Sequence, residues 1–244
     1  MTDRPLTGRI LLIRHGQAMV DSADYDRLSQ LGRRQTALLG GALRRRGVLP
    51  AVFVDGGMSR QAETSAAMAA QAGWDRLPGR DPGWAEFDYR GVLAGHRPDY
   101  ADRAARMADL ARHPDPAAAF LVVFRAAVAR WMSGTHDDDY AEPYPLFADR
   151  VRGALSRAAA QLASVPGTPG GVPAVGVVVT SAGPIATLAC DLLHGRSATW
   201  VQVNTALANC GVSEVVIDRT DLALRTLNDH AHLEIGDPSL LTYR

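Results

Sequence analysis

Residues 9–18 read RILLIRHGQA: four aliphatic side chains run directly into an arginine, a histidine and a glycine. An unbroken apolar run of this length fits a strand covered on both faces, because a strand with one wet face alternates apolar and polar residues. Such a strand belongs in a sheet with helices on either side, and its polar end marks where the sheet stops and a cleft begins. Arg14 and His15 are therefore expected at a strand's carboxyl end, with Gly16 permitting a sharp exit.

The rest of the chain repeats the theme. Residues 28–47 have helical patterning, with Ser29 placed to cap the start and Gly47 to stop the end. Residues 51–56, AVFVDG, form the second expected strand, and the alanine-rich residues 59–73 the second helix. From 91 to about 145 the alternation breaks. No strand is expected there, only two helical patterns, 99–112 and 116–132, the second capped by Asp115 with Pro116 at its first position. This stretch is expected to be a helical cap inserted over one end of the sheet. A further helix brings Phe147, Val151, Leu155 and Leu162 to one face. A Gly/Pro-rich loop at 166–173 then leads into a strand at 174–180, a helix at 184–193 and two final strands. The fold expected is a three-layer α/β/α sandwich with a mostly parallel central sheet, one domain over residues 1–244.

Composition narrows the chemistry. Hydrophobic residues make up 47% and charged residues 21%, which suits a globular chain. Twenty-six basic residues balance 26 acidic ones, so no overall field draws the chain to nucleic acid or to a membrane surface. All the basic residues are arginine. Absence of lysine excludes Schiff-base chemistry and lysine-dependent phosphate loops, and leaves the planar fork that binds phosphate through two parallel bonds. Cys190 and Cys210 lack metal-ligand spacing and read as reduced, buried thiols. With no apolar leader before Ile10 and no span long enough for a bilayer, a cytoplasmic protein is expected.

Three strand ends converge in such a sheet: Arg14-His15-Gly16, the turn before Arg60, and Thr180-Ser181-Ala182-Gly183. A neutral imidazole is a nucleophile toward phosphorus, and guanidinium groups from two elements can hold the phosphoryl oxygens. Backbone amides at a helix start add to that grip. A leaving alkoxide also needs a proton. A carboxylic acid partly shielded from water can supply it, since partial burial raises a carboxyl pKa.

LLIRHGQA, LSQLGRRQ, SRQAETSAA and the late VVVTSAGPIATL, in that order and at that spacing, resemble the histidine phosphatase superfamily, the phosphoglycerate mutase-like enzymes. The resemblance covers about the whole chain. It implies that His15 is the phosphorylated nucleophile, that Arg14 and Arg60 belong to the phosphate pocket, and that the acid lies in the WAEFDYRG segment, where Glu86, shielded by Trp84 and Phe87, is the expected donor and Asp88 the reserve. One departure stands out. The family carries a second histidine in a Ser-His-Gly-Gly-like segment at the last catalytic strand end, where this chain has Ser181-Ala182-Gly183-Pro184. The Ser181 hydroxyl and the amides of Ala182 and Gly183 are left to replace its donor electrostatically.

The function expected is hydrolysis of a small phosphorylated metabolite through a phosphohistidine, with no cofactor and no metal. Mutase-type phosphoryl transfer and noncatalytic phosphate binding remain the alternatives. The partner expected is a small phosphate ester; the oligomeric state stays open, a homodimer included. His194 reads as a helix-end cation. His230 and His232 lack a matching carboxylate cluster, and HDDDY at 136–140 reads as a solvated acidic loop.

Overall fold

A computed structural model describes residues 7–19, 26–166, 172–195, 197–218, 221–234 and 237–243. The first strand, β1 (Gly8–Arg14), sits inside a six-stranded sheet. Its neighbours are β4 (Ala174–Thr180), which is parallel, and β5 (Val212–Asp218), which is antiparallel. Outward from β4 come β2 (Val52–Asp55) and the two-residue β3 (Gly79–Arg80), both parallel; outward from β5 comes β6 (Asp221–Asp229), antiparallel. The order is β3-β2-β4-β1-β5-β6.

The apolar run of β1 divides between two cores. Ile10 and Leu12 pack with Val178, Val215, Phe147, Val151 and Leu155 on one face. Leu11 and Ile13 pack with Val177, Val179, Leu39, Leu43 and Met68 on the other. Successive side chains on a strand point to opposite faces, so a strand between two helical layers needs every position apolar. The three-layer α/β/α architecture follows from that rule. One layer holds α1 (Gln30–Arg45) and α2 (Ser59–Ala72); the other holds α6 (Tyr144–Ala163) and α7 (Ala182–Leu193).

Local signals end these helices where the sequence places them. The Ser29 hydroxyl accepts from Gly32 N at 2.9 Å, and α2 stops at Gly73 in the left-handed conformation. The face of α6 predicted from spacing, Phe147, Val151, Leu155 and Leu162, is buried. Between β3 and α6 lie α3 (Tyr89–His96), α4 (Arg103–Leu110) and α5 (Pro116–Trp131), without a strand. The Asp115 carboxylate caps α5 through Ala117 N and Ala118 N.

Three expectations are corrected. The helix expected over 99–112 is broken: residues 98–101 form one 3-10 turn, and the Asp102 carboxylate starts α4 afresh by accepting from Ala104 N at 2.7 Å. Helix α3 was not expected; its cap is Asp88, which accepts from Arg90 N. Nor was α8 (Ser197–Ala206), which is pinned by fully buried Trp200, whose indole N–H donates to Thr187 Oγ1. A short helix, α9 (Ala231–Glu234), follows β6. Most of the loop expected at 166–173 lies outside the described residues. No helix among the described residues is long and apolar enough to cross a membrane.

Candidate active site

Strand register brings the site together. Arg14 pairs with Thr180 across β1 and β4, so the chain leaves both strands at one level, and His15 N donates to Thr180 O at 2.9 Å. Asp55, the last residue of β2, pairs with Val179, which delivers the turn into α2 to the same end. The antiparallel β5 begins there too, where Asn209 Nδ2 donates to His15 O at 3.1 Å and Cys210 N to Arg14 O at 3.0 Å. At Gly16 an added Cβ would lie 2.7 Å from Gly32 O and 2.8 Å from Thr36 Oγ1, so only glycine lets the exit turn pack on α1.

The His15 ring is buried, and its two nitrogens have different partners. Nδ1 lies 2.8 Å from the Gly16 carbonyl, which only accepts, so Nδ1 carries the proton. Nε2 is then the lone pair, and Arg60 Nε donates to it at 2.9 Å. Burial, then the guanidinium charges of Arg60 and Arg14, hold the His15 pKa well below the usual imidazole value. The ring therefore stays neutral and nucleophilic.

Arg60 stands at the start of α2 and is buried. Its Nη1 donates to Asp26 Oδ1 at 2.6 Å, and the other oxygen of Asp26 accepts from Ser59 N at 2.8 Å. Asp26 thus caps α2 and orients the arginine together. Arg14 is also buried, and its Nη1 donates to the carbonyl of Leu207.

Glu86 meets these groups from the loop before α3. Its carboxyl oxygens accept from Gly183 N at 3.1 and 3.2 Å, at the start of α7, and one accepts from Phe87 N at 3.2 Å. A Cβ at Gly183 would lie 2.1 Å from Glu86 Oε1, so this contact requires glycine. Burial pushes the Glu86 pKa up, against the opposing pull of Arg60, the Gly183 and Phe87 amides, and Arg14. Phe87, the next residue, stacks on Trp131 with centroids 5.0 Å apart and meets Phe147 and Trp200 edge-on. Trp84, two residues before Glu86, is fully buried.

Ser181 and Ala182 are both buried, and the Ser181 hydroxyl accepts from Gln61 Nε2 at 2.9 Å. The structure thus brings His15, Arg14, Arg60, Glu86 and the Ser181–Gly183 segment to one end of the sheet. Asp88 is not part of the group: it is exposed and spent as the cap of α3. Sequence reasoning missed Asp26, Gln61 and Asn209. Asp26 and Gln61 are near Arg60 in chain or space but carry no pattern of their own, and Asn209 is 194 positions from His15.

No group of three or more metal-ligating side chains occurs among the described residues. His230 faces Glu234 at 2.8 Å, His194 is an exposed helix end, and Asp139 of the acidic loop pairs with Arg130 at 2.5 Å. A cavity of about 640 Å³ lies over the β2–β3 edge, lined by Arg76, Arg80, Asp81 and Arg157 among others; His15, Arg60 and Glu86 do not line it.

The profile of the histidine phosphatase superfamily, branch 1, matches residues 10–230. The chain belongs to the histidine phosphatase superfamily. Its fold is that of solved superfamily relatives. Phosphoglycerate mutase from Bacillus anthracis str. Sterne is similar at a TM-score of 0.64 and 15% identity, over 94% of this chain and 96% of that one. A phosphoserine phosphatase mutant from Entamoeba histolytica, solved with phosphoserine, is similar at 0.61 and 14%, over 93% and 99%. A mycobacterial glucosyl-3-phosphoglycerate phosphatase is similar at 0.56 and 22%, over 91% and 98%. At these identities the likeness is one of fold. No curated protein sequence matches the chain significantly.

Proposed function

We propose that this histidine phosphatase superfamily member is a phosphomonoester hydrolase that works through a phosphohistidine on His15. The observation that carries the reading is the fixed tautomer of His15, with its Nε2 lone pair beside Arg60 and its Nδ1 proton on Gly16 O. In the first step Nε2 attacks phosphorus and a P–N bond forms as the P–O bond to the alcohol breaks. Arg60 and Arg14 take the charge on the phosphoryl oxygens. Glu86, whose pKa burial raises, gives its proton to the leaving oxygen. In the second step water attacks phosphorus, its proton passes to the Glu86 carboxylate, and inorganic phosphate leaves with His15 restored.

The substrate class is a small phosphate ester, and the helices α3 to α5 between β3 and α6 set substrate choice as a cap. Phosphatases and a mutase both occur among the structural relatives, which supports phosphoryl handling in general. A second reading, noncatalytic phosphate binding, is favoured by Ala182, which offers no side-chain donor where the resemblance implies a histidine. A panel of phosphate esters assayed with wild type and His15→Ala separates the two. Hydrolysis by wild type that is abolished in His15→Ala supports the enzyme; phosphate binding without turnover supports the binder.

A further inference from the structure

Arg150 stands on α6, behind the loop that carries Glu86. Its Nη1 donates to the carbonyl oxygens of Ala85 at 2.7 Å and Gly83 at 3.2 Å, and its Nη2 to that of Glu86 at 3.3 Å. The same guanidinium is clamped by Glu142, with Nε and Nη2 at 2.5 and 2.9 Å from the two carboxylate oxygens, and lies 4.7 Å over the Phe147 ring. Loop and helix touch closely here: a Cβ at Gly83 would be 2.9 Å from the carbonyl oxygen of Arg150 itself.

The loop is also held from the sheet side, where Gln61 Nε2 and Thr180 Oγ1 donate to Trp84 O at 3.2 and 2.6 Å. Beyond Trp84 the Glu86 amide donates to Met58 Sδ at 3.3 Å, but among the described residues no bond from that side takes a carbonyl. The carbonyls of the next two residues, including Glu86 itself, are left to Arg150, and only a planar fork with several donors can reach three carbonyls while paired to a carboxylate. Proton transfer needs heavy atoms about 2.6–3.2 Å apart, and a shift of about 1 Å can cost about a hundredfold in rate. A loop loosened by that amount would carry the carboxyl away from the leaving oxygen.

We infer that Arg150 is a positioning residue for proton donation: by gripping the backbone of residues 83–86 it fixes the Glu86 carboxyl against the start of α7, where the leaving alcohol departs. The inference rests on the reading of Glu86 as the acid. It also separates a positioning role from a merely structural one. An alkoxide cannot depart without a proton, whereas p-nitrophenolate is stable enough to leave unaided. Loss of Arg150 should therefore harm the first kind of ester and spare the second.

The test measures kcat/KM for glycerol 2-phosphate and p-nitrophenyl phosphate, since this ratio reports phosphoryl transfer to His15 and not the later hydrolysis. Arg150→Gln is expected to lower the value for glycerol 2-phosphate by about thirtyfold and that for p-nitrophenyl phosphate by no more than about threefold, the same selectivity as Glu86→Gln. Arg150→Lys, which keeps the charge with fewer bonds, should fall between. Arg152→Gln, which removes an exposed α6 ion pair to Asp191, should leave the selectivity as in wild type. Should Arg150→Gln not fold, Glu142→Gln carries the same expectation and Arg150→Lys the smaller, intermediate loss with the same selectivity. Equal losses on both esters, or none on either, while Glu86→Gln remains selective, would overturn the role of Arg150. If wild type hydrolyses neither ester, or Glu86→Gln is not selective, the reading of the site fails first and the inference with it.

Discussion

Arg60 Nε lies 2.9 Å from His15 Nε2, so the arginine assigned to the phosphoryl oxygens also holds the lone pair assigned to attack phosphorus. The bond fixes the imidazole plane in the free protein, and in the proposed reaction it would be surrendered as the P–N bond forms. At the same time Arg60 Nη1 is tied to Asp26. A single ammonium cannot make both contacts and still grip two oxygens. Arg60→Lys should therefore lower kcat/KM by about a hundredfold to a thousandfold while the protein remains folded, as steady-state kinetics and thermal melts would show. Activity near wild type would remove Arg60 from the phosphate site.

The two buried titrating groups give the pH profile its sign. His15, with its pKa held well below the imidazole range, stays neutral as pH falls through that range, so it supplies no loss of rate there. Glu86, with its pKa raised, keeps its proton beyond the ordinary carboxylate range and loses it as pH rises further. For alkyl phosphates kcat/KM should decline on the alkaline side as the acid form disappears. That decline should be absent in Glu86→Gln, which would show a lower, flatter profile. An unchanged alkaline limb in the variant would assign it to another group.

Ala182 stands where the resemblance implies a second histidine. On that wall the Gly183 amide is engaged by Glu86 and the Ser181 hydroxyl accepts from Gln61, so an added imidazole would supply further transition-state charge stabilisation. Ala182→His is expected to stay folded, to lose about 1–3 kcal/mol of stability because the site is buried, and to raise kcat/KM by about tenfold or more. A folded variant no faster than wild type would mean that an existing group already serves.

His232 makes stability depend on pH. Burial lowers its pKa to about 4, against the attraction of Asp229 and a bond to the Cys210 backbone. Between about 6.5 and 4 the unfolded chain binds a proton here that the folded chain refuses, so stability is full above that window and falls as pH drops through it. The cost is of order 1–3 kcal/mol. Melting temperatures measured from pH 7 down to pH 4.5 should fall less steeply for His232→Gln than for wild type; parallel curves would contradict this.

Much of the fold can be read from the chain because its signals are local. The apolar run 10–13, the Ser29 cap, the Gly73 stop and the Asp115-Pro116 start each act within a few residues, and each is found where expected. So are the strand ends that carry Arg14, His15 and Ser181, since parallel neighbours leave the sheet at one level. Helix α8 escaped notice because it is held by Trp200 inside an aromatic cluster rather than by an amphipathic pattern of its own. The grips on the site escaped for a related reason. Asn209 on His15 O, Gln61 on Ser181 and Arg150 on the Glu86 loop join residues from 64 to 194 positions apart, and nothing local marks them. Asp88 shows the converse. It sits two residues from Glu86, yet a helix begins there and takes its carboxylate as a cap.

The central claim is that the imidazole of His15 carries the phosphoryl group between alcohol and water. It is tested most directly by mixing the protein with a labelled phosphomonoester, quenching in base, and locating the label by peptide mass spectrometry. A stable adduct in base that is lost in acid, mapped to His15 and missing from His15→Ala, is the result expected. Hydrolysis with no such adduct, or an adduct that persists in His15→Ala, would contradict it.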